Sequence, residues 1–253
     1  MASNSKTRFS DRVDNYIKYR PGYPNEIIDY LKAQDILKAD SIIADIGSGT
    51  GISTEMFLKN GNMVYAIEPN KEMREAAERL LAGYTVFKNI IGTAEETTLP
   101  NTSIDLISAG QAFHWFDIPK AKTEFKRILR PGGFVVLIWN EKQLASSPFM
   151  KAYEEMLLKY GTDYAEVKHE NIEESTFNSF FDHGFKLKTL PNEQMFDFIG
   201  IKGRLLSSSY APATEHPEYA PLIEELQRIF DKYNENGTIR FEYITRVYTG
   251  KLT

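Results

Sequence analysis

Cysteine is absent from this chain of 253 residues. Disulfides, thiolate metal sites and cysteine nucleophiles are thereby excluded. Long apolar runs are missing as well. The longest is Phe134–Trp139, far short of the ~20 residues that a bilayer-spanning helix needs. Residues 1–24 hold no apolar stretch of the kind a signal peptide requires. These absences together lead us to expect a cytoplasmic protein with no membrane contact. Positive charge is not in excess: 30 Lys and Arg face 35 Asp and Glu, a net charge of −5, with no Lys/Arg run. Such a chain lacks the field that concentrates a protein on nucleic acid or anionic lipid. The histidines are few, and His169, His183 and His216 are scattered, without the spacing of metal ligands. No metal is expected. The N-x-S/T sequons at Asn101 and Asn236 are read as chance.

What the chain does have is ordinary globular composition, 42% hydrophobic and 26% charged, enough for a self-sufficient core. Its first 140 residues alternate strand and helix signals. Ser41–Ile46 is a short β-branched run stopping at Gly47. Gly51–Asn60 reads as a helix and Met63–Glu68 as a second strand. Asn70 then stands where an N-cap belongs, and Met73, Ala76, Ala77, Leu80 and Leu81 fall on one helical face that Gly83 ends. Tyr84–Ile91 and Ile104–Ala109 read as strands three and four. Asp117–Leu129 reads as a helix with Pro119 in its first turn, and Arg130–Gly133 as a turn. Phe134–Trp139, apolar on both faces, belongs in the middle of a parallel sheet.

Repeated β-α units predict an α/β fold with a doubly wound, mostly parallel sheet. The second half is less regular. Helices are expected near Met150–Lys159, Ser175–His183, 198–207 and 217–233, with strands at Phe185–Leu190 and Ile239–Tyr248. No linker divides the chain. We expect a single domain: N-terminal cap helices over 1–38, a cofactor-binding core over 39–140, cap insertions at 141–172 and 193–236, and a last sheet strand within 237–253.

The strongest chemical signal is Asp45-Ile46-Gly47-Ser48-Gly49-Thr50-Gly51, between a strand and a helix. Glycines there permit a tight turn and close approach of backbone to a ligand. The helix beyond presents free N–H groups. Glu68 ends the next strand, where an acid accepts hydrogen bonds from ribose hydroxyls in nucleotide-binding α/β folds. A dinucleotide loop would need a third glycine at position 52, which is Ile52.

The pattern resembles instead the first motif of class I S-adenosylmethionine-dependent methyltransferases, a Rossmann-like fold with a seven-stranded sheet. Further matches follow in order over roughly residues 40–140. Ala66-Ile67-Glu68-Pro69-Asn70 is similar to their ribose-binding strand end, Gly92-Thr93-Ala94-Glu95 to their adenine-side loop, and Leu129-Arg130-Pro131-Gly132-Gly133 to the turn before their fifth strand. Tyr19-Arg20-Pro21-Gly22-Tyr23-Pro24 and Gln111-Ala112-Phe113-His114-Trp115-Phe116-Asp117 resemble a subgroup related to small-molecule carboxyl methyltransferases of the trans-aconitate type, with a methyltransferase domain 11.

The resemblance implies S-adenosylmethionine as cofactor, S-adenosylhomocysteine as product and a small-molecule methyl acceptor; oxygen is the leading acceptor atom, with nitrogen and carbon open. It implies that Gly47, Ser48, Gly49 and Gly51, in a motif that also holds Asp45 and Thr50, surround the methionine part. Glu68, followed by Pro69, would bind ribose; Thr93, Ala94 and Glu95 would line adenine; Gln111 would lie near the sulfonium. Two residues carry competing readings. Arg20 either meets a carboxylate of cofactor or substrate, or is a surface arginine in an Arg-Pro-Gly turn. His114 is either a base or substrate contact, or a histidine packed between Phe113 and Trp115. Phe177, Phe180 and Phe181 read better as a buried helix face than as a substrate box. The rival functions are a non-catalytic S-adenosylmethionine- or S-adenosylhomocysteine-binding protein and an NAD-dependent oxidoreductase.

Overall fold

The computed structural model describes residues 13–162, 164 and 174–252. Residues 1–12 of the expected N-terminal cap, 163 and 165–172 of the first cap insertion (with His169) and Thr253 lie outside the described residues. Two short helices come first, α1 (Val13–Tyr19) and α2 (Glu26–Ala33). The core then runs β1 (Ile42–Ile46), α3 (Ile52–Lys59), β2 (Met63–Ile67), α4 (Lys71–Leu80), β3 (Phe87–Ile90), β4 (Ile104–Gly110), α5 (Ile118–Ile128) and β5 (Leu129–Lys142). The remainder is α6 (Pro148–Tyr160), α7 (Glu174–Phe180), β6 (Phe185–Phe196), α8 (Phe198–Leu206), α9 (Tyr219–Tyr233) and β7 (Ile239–Gly250). The seven strands form one sheet in the order β3-β2-β1-β4-β5-β7-β6. The first five are parallel, and β7 runs against both its neighbours.

Local chemistry explains several helix starts. The Asn70 side chain accepts a hydrogen bond from the Met73 N–H at 2.9 Å, capping α4 as its residue type favours. Asp117 caps α5, accepting from Lys120 N, and Pro119 occupies the first turn, where no N–H partner is required. Other expectations are corrected. Met73, Ala76, Ala77 and Leu81 are buried, but Leu80 is 51% exposed, because α4 ends there and Leu81 is its C-cap. The third strand is shorter than expected, Phe87–Ile90. Arg130–Gly133 is not a free turn. It lies inside β5, whose pairing with β4 shifts register between Ile104 and Leu106 while Gly132 takes φ 85°. An irregularity of this kind absorbs extra residues without leaving the sheet.

The sheet is covered on both faces, and strand parity sorts the core. On β5, Val135, Leu137 and Trp139 face the side covered by α5 and α7, while Val136 and Ile138 face α2 and α3. Ile104 and Leu106 have the same parity yet opposite faces, as the register shift between them demands. Phe177, Phe180 and Phe181 are buried in the first of these cores, as a packed helix face requires.

A third core builds the cap. β6 continues to Phe196 rather than ending near Leu190, so the residues assigned to a cap from 193 onward begin in the sheet. The reason is the length of its partner. β7 pairs with β5 only from Gly250 to Tyr243, opposite Lys142, while its pairing with β6 continues to Ile239. The β6–β7 ribbon therefore projects past the carboxyl end of β5. Its tip, with Phe196, Ile239 and Phe241, packs against α6, α8 and α9. The cap stands on the side of the sheet where strands β1, β2 and β4 end.

Phe180 is fully buried, with ring centroids 4.8 Å from Phe113 and 5.1 Å from Phe181. Phe180→Ala should destabilise the protein by about 3–5 kcal/mol, through lost transfer energy plus a cavity. Urea unfolding would measure it, and a loss below about 1 kcal/mol would contradict this packing.

Candidate cofactor-binding site

The glycine loop is held by the strand next to it. The N–H groups of Gly47 and Ser48 both donate to the Ile67 carbonyl, at 2.8 and 3.2 Å. Gly47, Gly49 and Gly51 have φ of 67°, 58° and 91°, the left-handed region that favours glycine. The three do different work. A Cβ on Gly47 would stand 2.7 Å from the Ala112 Cβ, and one on Gly51 2.6 Å from Leu81 Cδ1. Both positions are closed by packing. At Gly49 a Cβ would meet nothing within 4 Å, so this glycine faces open space.

Beneath the loop, the buried Asp45 carboxylate accepts hydrogen bonds from Ser53 Oγ (2.7 Å) and Thr54 Oγ1 (2.6 Å). It thereby binds the first turn of α3 to the end of β1. Burial pushes this carboxyl up to about 6, against the pull of those hydroxyls.

Glu68 closes the next strand. One carboxylate oxygen accepts from Gly49 N at 3.0 Å and the other from Asn70 N at 2.8 Å. Burial raises its pKa, and these N–H groups oppose the rise. Each oxygen retains acceptor capacity for further donors. Arg74 braces the turn from behind, donating to the Glu68 and Pro69 carbonyls. At the end of β4, Gln111 adopts φ 54°. A positive φ on a non-glycine residue is uncommon. Its N–H donates to the Ile138 carbonyl, and its side chain exchanges hydrogen bonds with the Asn140 main chain at 3.1 and 3.4 Å. The third wall is a turn in which Thr93 Oγ1 accepts from Glu96 N. Glu95 departs from expectation in part: one of its oxygens accepts the Asp117 N–H at 2.8 Å, at the start of α5.

These groups enclose a cavity of about 500 Å³, within the size range of small-molecule and cofactor sites. Gly47, Gly49, Glu68, Pro69, Thr93, Ala94, Glu95 and Gln111 line it, with Met73, Trp115 and Phe116. A smaller recess, sharing Tyr16, Gly47, Gly110 and Gln111 with the first, is lined by Arg20, Tyr23, Ser48, Ile52 and Asn140.

Comparison with known proteins gives this geometry its context. Residues 44–137 match the methyltransferase domain family. The chain is 37% identical over 134 residues to an uncharacterized methyltransferase of Mycobacterium tuberculosis, covering 53% of this chain and 52% of that protein. It thus spans about half the length of that relative. A second uncharacterized methyltransferase, from Schizosaccharomyces pombe, is 28% identical over 253 residues, 96% of each chain. Among solved structures, a candidate type II methyltransferase from Anaeromyxobacter dehalogenans shares the fold, with a TM-score of 0.69 at 21% identity over 92% of this chain and 98% of that one. Residues 44–137 are a class I S-adenosylmethionine-dependent methyltransferase domain.

The large cavity has room for a nucleoside, with the Glu68 carboxylate in its wall. In the recess beside it, Arg20 Nε and Ser48 Oγ are buried with no hydrogen-bond partner among the described residues, as groups awaiting a zwitterionic amino-acid end would be. Arg20 is not a surface residue of a turn. Its guanidinium donates to the Ser207 carbonyl at 2.8 Å and lies over the Tyr16 ring.

Four expected residues do not line either space. Asp45, Thr50 and Gly51 lie behind the loop and shape it. His114 sits in a 3₁₀ turn, Phe113–Trp115, with its ring 4.7 Å from that of Trp115. Burial lowers its imidazole to about 4, so it is neutral near pH 7. Asn140 and Tyr16 were not among the expected site residues. Asn140 follows an apolar strand and carries no motif, and Tyr16 precedes the sheet by some thirty residues of chain.

Two of the buried titratable groups, Asp45 and His114, oppose each other. Asp45, raised from 3.8 to about 6, binds its proton more tightly when folded. It favours folding at low pH, and that contribution fades between about pH 4 and 6. His114, lowered from 6.5 to about 4, acts in reverse, destabilising the fold as pH falls through that range. Asp45→Asn should remove the first slope. Relative to wild type, its stability should rise between pH 4 and 6 by roughly 3 kcal/mol. Urea midpoints at successive pH values would show this, and parallel curves would refute it.

Proposed function

We propose that the chain binds S-adenosylmethionine across these two spaces and methylates an oxygen of a small-molecule acceptor, releasing S-adenosylhomocysteine. The observation that carries this reading is the Glu68–Gly49 hydrogen bond, which brings the ribose-type acid and the glycine loop into one cavity wall. When bound, the cofactor supplies a sulfonium methyl already activated for in-line displacement. The residues then have positional tasks. Glu68 offers oxygen acceptors to ribose hydroxyls, Arg20 meets the carboxylate of the methionine part, and the Gln111 end of β4 adjoins both spaces. Holding the reactants in line is the main source of rate, about 7–11 kcal/mol in favourable systems.

The cap supports an anionic acceptor. Arg204 is buried, donating to Tyr243 Oη at 2.9 Å and Ser208 Oγ at 3.1 Å. Lys142 donates to Tyr164 Oη at 2.7 Å and lies over the Tyr210 ring. Among the described residues, the carboxylate that reaches this cluster is Glu154, through Tyr164. Burial and the neighbouring Arg204 both hold the Arg20 pKa down. Although burial resists ionisation of Tyr210, Lys142 and Arg204 bring its phenol to about 8. With Arg204 buried and Arg20 and Lys142 half-buried, cations outnumbering acids favour a bound anion. A carboxylate acceptor would need no general base, consistent with a His114 of depressed basicity.

Calorimetric titration with S-adenosylmethionine, S-adenosylhomocysteine and NAD tests the cofactor. The first two should bind, and Glu68→Ala should weaken them by about tenfold or more, the scale of hydrogen bonds to a charged group. Binding of NAD alone would overturn the reading in favour of an oxidoreductase. Turnover in a screen of carboxylate and other small acceptors separates an enzyme from a non-catalytic binder. Arg204→Met should lower kcat/KM for an anionic acceptor by about tenfold or more, with S-adenosylhomocysteine affinity unchanged. Equal activity in the variant would dismiss the anionic acceptor.

A further inference from the structure

The segment carrying Arg20 and Tyr23 joins α1 to α2 without belonging to either. It nevertheless forms one side of the recess opposite Gly47 and Ser48. What holds it is a small polar junction centred on Asn140, which is 5% exposed. Asn140 Nδ2 donates to the Gly22 carbonyl at 3.1 Å, and Asn192 Nδ2, from β6, donates to the same oxygen at 2.9 Å. Asn140 Oδ1 accepts from Thr245 Oγ1 of β7 at 2.6 Å and from Asn192 Nδ2 at 3.0 Å. The Asn140 main chain pairs with the Gln111 side chain. The orientation of the Asn140 amide follows from chemistry. A carbonyl oxygen can only accept, so the nitrogen must face Gly22 and the oxygen must face Thr245 and Asn192.

We infer that Asn140 is a positioning residue, which ties the Arg20–Tyr23 segment to the carboxyl ends of β4 and β5 and to the interior of β6 and β7, and so sets the methionine end of the cofactor site. The inference rests on the cofactor reading above. Asn140 acts through two others. It places Arg20 by fixing the Gly22 carbonyl two residues on, and it places Gln111 by closing the backbone-to-amide pair. The adenosine end depends on Glu68, Thr93 and Ala94, none of which touches this junction.

Asn140→Asp is the informative change, because it keeps size and shape but turns an acceptor toward the Gly22 carbonyl. Two ligands separate positioning from general damage: S-adenosylhomocysteine, and 5′-methylthioadenosine, which lacks the amino-acid portion. Affinity for the first should fall by about tenfold or more, the scale for a buried hydrogen-bonding group left opposed. Affinity for the second should change less than about twofold. Asn192→Ala, which removes the second donor to Gly22 and one donor to Asn140 Oδ1 from an edge strand, should shift the same ratio in the same direction by a smaller factor, and it decides the matter if the aspartate variant does not fold. In the ligand-free protein, amide exchange of peptides ending at Tyr23 should accelerate in either variant while α3 and α5 are unaffected. Equal weakening of both ligands, or no weakening of either, would overturn the positioning role. If the wild-type protein binds neither nucleoside, the cofactor reading fails, and the exchange measurement still decides the tie: unchanged exchange at that segment would overturn it.

Discussion

The Glu68 carboxylate joins two turns that would otherwise be independent. Its two oxygens take the N–H groups of Gly49 and Asn70, so the loop after β1 and the cap of α4 share one acid. The glycine loop is also tied to β2 through the Ile67 carbonyl. Strands β1 and β2 therefore end in a single rigid lip. Everything that makes this lip a site depends on that arrangement. Gly49 is left facing the cavity, and the two tight glycines Gly47 and Gly51 are packed against Ala112 and Leu81. Burying a carboxylate is unfavourable unless its lone pairs are met. Here backbone donors meet part of that demand, and the cavity leaves room for a ligand to meet the rest.

A difference in strand length creates the other half of the molecule. Because β7 outruns β5, the β6–β7 ribbon runs past the end of β5 and carries a third hydrophobic core. That core is unusual in what it buries among its aromatic residues: Arg204 over the rings of Phe241 and Tyr243, and Lys142 over Tyr164 and Tyr210. Cations stacked on rings retain favourable electrostatic contact when water is removed. Asn140, two residues before the end of β5, makes contact with β6, β7 and the N-terminal segment together.

The methyltransferase domain was legible residue by residue because each of its signals is local. A glycine that needs positive φ, an asparagine that caps a helix and an alternating or doubly apolar strand all express their physics within a few neighbours. The register of those signals along 40–140 placed the glycine loop, the acid after β2 and the turn at Thr93 in one chain segment, and the three line one cavity. Even there, local reading could not assign tasks. Asp45 and Gly51 share a motif with Gly49, yet one anchors α3 and one packs on Leu81, since a motif records which residues are near in the chain and not which way they face.

The sequence by itself determined the α/β class, the parallel core and the cofactor-type loop, because backbone conformation and strand burial follow from short-range patterns. Only the tertiary structure decided how the cap is built and what closes the site. The partners of Asn140 and Gln111, the hydrogen bond of Arg20 to Ser207 and the stacking of Arg204 all join residues between 27 and 187 positions apart. No periodicity encodes such pairings, which arise from the length of β7 relative to β5 and from the space that remains once the sheet is packed.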